Sequence, residues 1–159
     1  MTFSISGFCE RTGRGGVAIT TSSISVASRC PWIRAGVGAA ATQNVTDPSL
    51  GNLMLDGLEQ GQTPAEVIDQ LVNKREFIEY RQLALIDAQG RSASFTGAQT
   101  LGTNAVVKGD GCIAAGNLLI TTDVPKAMAG SFSSNAQMHL AERLLVALQA
   151  GVDAGKTRS

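Results

Sequence analysis

The sequence predicts an α+β fold in which blocks of helix lie on antiparallel sheets. Three observations lead there. Alternating segments come in adjacent pairs joined by glycine-bearing turns, which is the pattern of hairpins. Helical spacing is confined to two blocks, after residue 47 and after residue 123, with two helices in each. Finally, 43% of the 159 residues are hydrophobic and 16% charged, against about 25% charged in an average domain. Much surface must therefore be hidden between layers or against another chain, and a homo-oligomer is expected. By length, residues 1–159 form a single domain that buries about two-thirds of its unfolded surface.

MTFSISGF alternates Phe3, Ile5 and Gly7 with Thr2, Ser4 and Ser6, a strand with one apolar face and one hydroxyl face. CERTGRGG bends the chain back and GVAITT returns, so residues 2 to 20 form an antiparallel hairpin. SSISVAS alternates again and predicts another strand, interrupted by Pro31 because proline cannot donate to a central ladder. RAGVGAAATQ, residues 34 to 43, is a small, glycine-rich strand that lets a neighbour approach its backbone.

Asp47 before Pro48 caps a helix carrying Leu50, Leu53, Met54 and Leu58, which Gly61 ends. Thr63, Pro64 and Glu66 form a capping box for a second helix with Val67, Ile68 and Leu71 on one face. RQLALIDAQGRSASFTG is a hairpin, 81 to 87 and 91 to 96, around Ala88-Gln89-Gly90. NAVVKGDGCIAAGNLLI adds one or two strands around Gly109 and Gly111. A third helix from Val124 turns Met128 and Phe132 inward and breaks at Ser133-Ser134-Asn135. The last, AQMHLAERLLVALQAG, has Leu140, Leu144, Leu145 and Leu148 on one side and runs into a polar tail. A further strand is expected after it, missing here or supplied by a second chain.

Thirteen basic and thirteen acidic residues cancel, which leaves no field to recruit nucleic acid or an acidic membrane. The basic residues are scattered apart from Lys74-Arg75 and Lys156/Arg158. No stretch reaches the ~20 apolar residues of a membrane span, and no secretory signal opens the chain. Cys9, Cys30 and Cys112 with one histidine make neither a disulfide set nor a zinc set. Each cysteine reads as a small buried residue, and the expectation is a cytoplasmic protein without metal or cofactor. GRGG at 13 to 16 lies between strands, where it cannot form a phosphate loop. His139 reads as a surface residue of the last helix, and Asp110 and Asp123 as turn residues. Cys30 has no base beside it.

Chemistry concentrates in three places. Thr2 opens the first strand, and removal of Met1 would place a new α-amine beside its hydroxyl, to serve as base. In ATQN the glycine-rich strand ends in Thr42, Gln43 and Asn44; in AGN, Gly116 exposes backbone and Asn117 offers an amide. Such groups orient an amide substrate or hold an oxyanion.

MTFSISGF, GVAITTSSISVASRCPWIRAGVGAAATQ, RQLALIDAQGR, FTG, AGNLL and LAERLLVALQAG, in this order, resemble the DUF1028 family, classed with the Ntn-hydrolase-like fold. The resemblance spans nearly the whole chain. It implies a four-layer αββα sandwich and an amidohydrolase that cleaves a small amide or amide-like C–N bond. It also implies further strands after the last helix, beginning near a Gln-Ser-Ala-Ala-like stretch absent here. Autoproteolysis after Ser159 would put the nucleophile on a second chain from the same precursor; otherwise Thr2 holds that role. The catalytic set expected is Thr2, Gly116, Asn117 and Gln43, and the substrate-binding set is Thr42, Asn44, Arg34 and Arg81. A tuning lysine is expected soon after the second strand, yet the first lysine is Lys74. Arg29 and Arg34 occupy that region and, always protonated, would hold negative charge. The alternative is a non-catalytic subunit of the same fold that binds a small molecule or serves in assembly.

Overall fold

Two four-stranded antiparallel sheets stacked face to face, each covered by a pair of helices, make up the computed structural model, which describes residues 1–156. Arg158 and Ser159, where a basic pair and a cleavage point are expected, lie outside the described residues. The strands are β1 (Thr2–Cys9), β2 (Arg14–Thr21), β3 (Pro31–Arg34), β4 (Gly38–Asn44), β5 (Arg81–Asp87), β6 (Ser92–Thr96), β7 (Ala105–Gly109) and β8 (Cys112–Asn117). One sheet runs β2-β1-β8-β7 and the other β3-β4-β5-β6. The helices are α1 (Ser49–Glu59), α2 (Pro64–Lys74), α3 (Asp123–Ser134) and α4 (Leu140–Lys156).

The alternation of β1 decides where its hydroxyls go. Phe3 and Ile5 point outward and pack with Val124, Met128, Phe132, Leu140 and Leu144 of α3 and α4. Ser4 and Ser6 therefore point between the sheets, where both are buried. On the second sheet Ala40, Leu83 and Leu85 meet Leu50, Met54, Leu55, Leu58, Val67 and Ile68. Ala39, Ala41, Ala84 and Ala115, with Ile86 and Ile113, fill the space between sheets. Alanines bury little area. Most apolar stabilisation, roughly 1.5–3 kcal/mol per large buried side chain, thus comes from the two sheet–helix layers.

Local signals act as expected in most elements. The Thr63 hydroxyl accepts from the Glu66 amide and the Glu66 carboxylate accepts from the Thr63 amide, closing the capping box of α2. The Asp47 carboxylate accepts from the Ser49 amide at 3.1 Å at the start of α1, and Gly61 takes the left-handed conformation beyond its end.

Four expectations need correction. SSISVAS is not a strand: Ser25 is left-handed, the Ser28 hydroxyl donates to the Ser25 carbonyl, and Val26–Ser28 form a 3₁₀ turn. Serine side chains competing for local backbone explain this, and Ile24 is left 88% exposed. Pro31 interrupts nothing; it opens β3, an edge strand that needs no donor there. Residues 34 to 37 belong partly to a turn at Gly36, so the glycine-rich strand begins only at Gly38. Finally, α4 starts at Leu140 and continues to Lys156. His139 precedes this helix and its Nδ1 accepts from the Ala141 amide. Gly151 lets α4 approach, because a Cβ there would sit 2.7 Å from Met128. Leu145 is turned away and 62% exposed.

Candidate functional site

Thr2 lies at one end of the sandwich, on the strand next to the sheet edge, paired in register with Thr21 of β2 and Asn117 of β8. Its hydroxyl and that of Thr21 are 2.8 Å apart. Two residues along, the Ser4 hydroxyl crosses between the sheets and donates to Gln43 Oε1 at 2.9 Å. Gln43 Nε2 donates to Gln82 Oε1 at 2.8 Å, and Asn117 Nδ2 donates to the same oxygen at 3.2 Å. Gln82 Nε2 in turn donates to the Gly116 carbonyl at 3.0 Å. Ser4, Gln43, Gln82 and Asn117 are all buried. Four amides and hydroxyls from β1, β4, β5 and β8 thus satisfy one another in an interior lined by alanines, Ile86 and Ile113, while the Ser6 hydroxyl there has no partner among the described residues.

This network joins Gln43, Asn117 and Gly116 and sets them beside Thr2. Gly116 enters it through its carbonyl, an acceptor, while its Cα faces Leu119 and Phe3 on the helix side. Asn117 Nδ2 has two hydrogens and gives one to Gln82. The α-nitrogen of Thr2 is bonded to Met1, so it becomes an amine only when Met1 is removed.

The substrate-binding candidates are not gathered here. Thr42 and Asn44 flank Gln43 in β4. The Thr42 hydroxyl donates to the Asp47 carbonyl at 3.3 Å, and Asn44 Nδ2 to the Tyr80 carbonyl at 2.7 Å. Arg81, next to Gln82 in β5, donates to the Val45 carbonyl. Arg34 pairs in register with Gly38, at the far end of β4, five residues and roughly 16 Å from Gln43. There it is held by Asp56 at 2.8 Å and Glu59 at 2.7 Å. The Asp56 hydrogen bond, with both carboxylate charges, raises the Arg34 guanidinium above its ordinary value. Arg29 donates to the Ile24 and Ser25 carbonyls.

Ser4, Thr21 and Gln82 are partners that motif reading missed. A signal for each exists: Ser4 shares the face of Thr2, Thr21 lies opposite Thr2 when the hairpin is counted back from its turn, and Gln82 is the polar residue opening an apolar strand. The three cysteines are free and buried. Burial pushes the Cys30 thiol up, and pushes Cys112 up to about 11, which makes both poor nucleophiles at neutral pH. Among the described residues no group of three His, Cys, Asp or Glu could hold a metal ion, and no helix is long and apolar enough to cross a membrane.

The family model described as a family of unknown function, DUF1028, matches residues 2–159. The chain is also similar to a solved structure, the crystal structure of protein SPO2555 from Silicibacter pomeroyi, which carries the same family model. The two share 31% sequence identity with a TM-score of 0.93, over 97% of this chain and 68% of that chain. No curated protein matches the chain.

Proposed function

The chain belongs to the DUF1028 family, and from that premise we propose that it is an N-terminal-nucleophile-type amidohydrolase acting on a small amide, with Thr2 as nucleophile. The observation that supports this most is the position of Thr2: first residue of β1, on the strand face it shares with Ser4, with the Thr21 hydroxyl 2.8 Å away. After removal of Met1, the α-amine takes the proton of the Thr2 hydroxyl as its oxygen attacks the amide carbonyl. The C–N bond then breaks, the amine returns the proton to the leaving nitrogen, and water releases the acyl group from Thr2. The second hydrogen on Asn117 Nδ2 is the donor we assign to the oxyanion.

N-terminal mass spectrometry of the purified protein should read Thr2 first. Thr2→Ala should cost at least ~10³-fold in hydrolysis of a panel of small amides, while Thr2→Ser retains turnover. Full activity in Thr2→Ala, or an active protein that keeps Met1, overturns the assignment.

One observation favours a second reading, a binding or assembly subunit without catalysis. Gln43 and Asn117 already spend donors on Gln82, as a purely structural network would. Wild-type protein with Thr2 exposed that turns over no amide, yet is stabilised by small molecules in a thermal-shift screen, would decide for this reading.

A further inference from the structure

A cavity at the turn end of β1 holds a guanidinium that no carboxylate contacts directly, Asp110 acting on it only through space. Arg143, in the first turn of α4, is only 7% exposed. Its Nε donates to the Phe132 carbonyl at 2.6 Å, and its guanidinium carbon lies 3.5 Å from the centroid of the Phe132 ring. Among the described residues no carboxylate forms an ion pair with it, and neither terminal nitrogen makes a hydrogen bond. Those nitrogens are not sealed in the core, since Arg143 lines a cavity of about 320 Å³ together with Phe8, Glu10, Arg11 and Asp110.

An unpaired buried cation is costly. Its place adds to the cost, because the N-terminus of a 17-residue helix is the positive end of the helix dipole. Both effects reverse when an anion enters, since the dipole and the guanidinium then act together. A planar guanidinium whose two terminal nitrogens are vacant matches the two oxygens of a carboxylate. Glu10 and Asp110 at the exposed rim balance Arg11 and Arg143, so the empty cavity is neutral. A monoanion leaves it at minus one and a dianion at minus two. Phe8 offers an apolar wall for a short carbon chain.

We propose that this cavity binds a small organic monocarboxylate, with Arg143 as its bidentate anchor and the acidic rim excluding multiply charged anions. The site is distinct from the Thr2 network and does not depend on the amidohydrolase reading.

Thermal-shift titrations with sodium propionate, sodium sulfate and sodium chloride at matched ionic strength test it. Propionate should raise the Tm saturably, by about 5 °C or more at a hundredfold excess over its Kd, and sulfate no more than chloride. Arg143→Lys, which keeps the charge but loses the fork, should weaken propionate at least tenfold, and Arg143→Met, which keeps an apolar contact with Phe132, should abolish the shift. If the Arg143 variants fail to fold, the exposed-rim variant Glu10→Gln/Asp110→Asn keeps the test open. It should tighten propionate several-fold and admit sulfate. No saturable shift with propionate in the wild type, an unchanged shift in either Arg143 variant, sulfate exceeding propionate, or a rim variant identical to wild type would each overturn the site.

Discussion

Replacing Gln82 by Met tests whether the inter-sheet amide network is sealed from water. Gln82 Oε1 is the acceptor for both Gln43 Nε2 and Asn117 Nδ2, and the residue is fully buried. Methionine fills nearly the same space but accepts nothing of comparable strength, so two buried donors lose their partner. Each orphaned donor costs about 1–3 kcal/mol, and the loss of one buried amide with gain of apolar burial returns roughly 1 kcal/mol. The net expectation is a destabilisation of about 3 kcal/mol, a large share of the 5–15 kcal/mol typical of a domain. Urea unfolding should show a lower midpoint with an unchanged m-value, and the Tm should fall by about 6–12 °C. A quadruple variant, Gln82→Met with Gln43→Met, Asn117→Leu and Ser4→Ala, removes the orphaned donors, including the Ser4 hydroxyl that Gln43 accepts from, and should recover more than half of the loss. A single-variant loss below about 1 kcal/mol would refute the reasoning, because it would mean that water or a shifted side chain supplies the missing acceptor.

Gly51→Ala in α1 should destabilise by about 1–2 kcal/mol, since overpacking outweighs the gain in helix propensity. The new Cβ would lie 2.1–2.3 Å from the Trp32 indole, and because Trp32 is the single tryptophan, its fluorescence reports the displacement; unchanged emission and stability would argue against that contact. Asp47 titrates in acid: burial opposes its ionisation, but hydrogen bonds from Ser49 and Arg75 outweigh burial and hold the carboxyl below its ordinary 3.8. With the folded value depressed, the stability it contributes is full above about pH 5 and is lost as pH falls through the folded value. Asp47→Asn should flatten that acid limb in urea midpoints between about pH 5 and pH 2, and an unaltered limb would remove Asp47 from the account. Mass spectrometry and Thr2→Ala decide the nucleophile, and propionate titration decides the Arg143 cavity, as described above.

How far each feature was legible depended on the range of the interaction behind it. The 81–96 hairpin and the α2 capping box were readable because turn and cap chemistry acts over a few residues. Asp47 before Pro48 marked the start of α1 for the same reason. SSISVAS reads as a strand because its alternation is real, but its serines bond locally; Pro31 reads as an interruption because edge position is a property of the sheet and not of the local sequence. Residue type places Leu145 in the buried stripe of α4, although it sits about 100° around the helix from Leu144. The stripe is instead continued by Ala147, Gly151 and Gly155, small residues over which α4 can approach its neighbours.

The candidate site divides in the same way. Thr2, Gln43 and Asn117 could be singled out by residue type, and they do come together. Gln82, the common partner of Gln43 and Asn117, stands out only as a polar residue near the start of an apolar strand; its pairing is not legible, because Gln43 and Gln82 are 39 residues apart in the chain and meet only once β4 pairs with β5. Charge alone points to Arg34 and Arg81. Arg34 ends some 16 Å along the strand from Gln43, and Arg81 donates to the Val45 carbonyl instead of entering the amide network.

By itself, then, the sequence determined the elements, their caps and turns, and the alternation that gives β1 a hydroxyl face. Tertiary structure alone decided what that face meets. With Phe3 and Ile5 drawn to α3 and α4 by their larger apolar area, the hydroxyls had to enter the space between sheets. There a buried polar group must find a partner or bear its desolvation: Ser4 finds Gln43 and through it Gln82 and Asn117, brought from three other strands, whereas the buried Ser6 hydroxyl has no partner among the described residues.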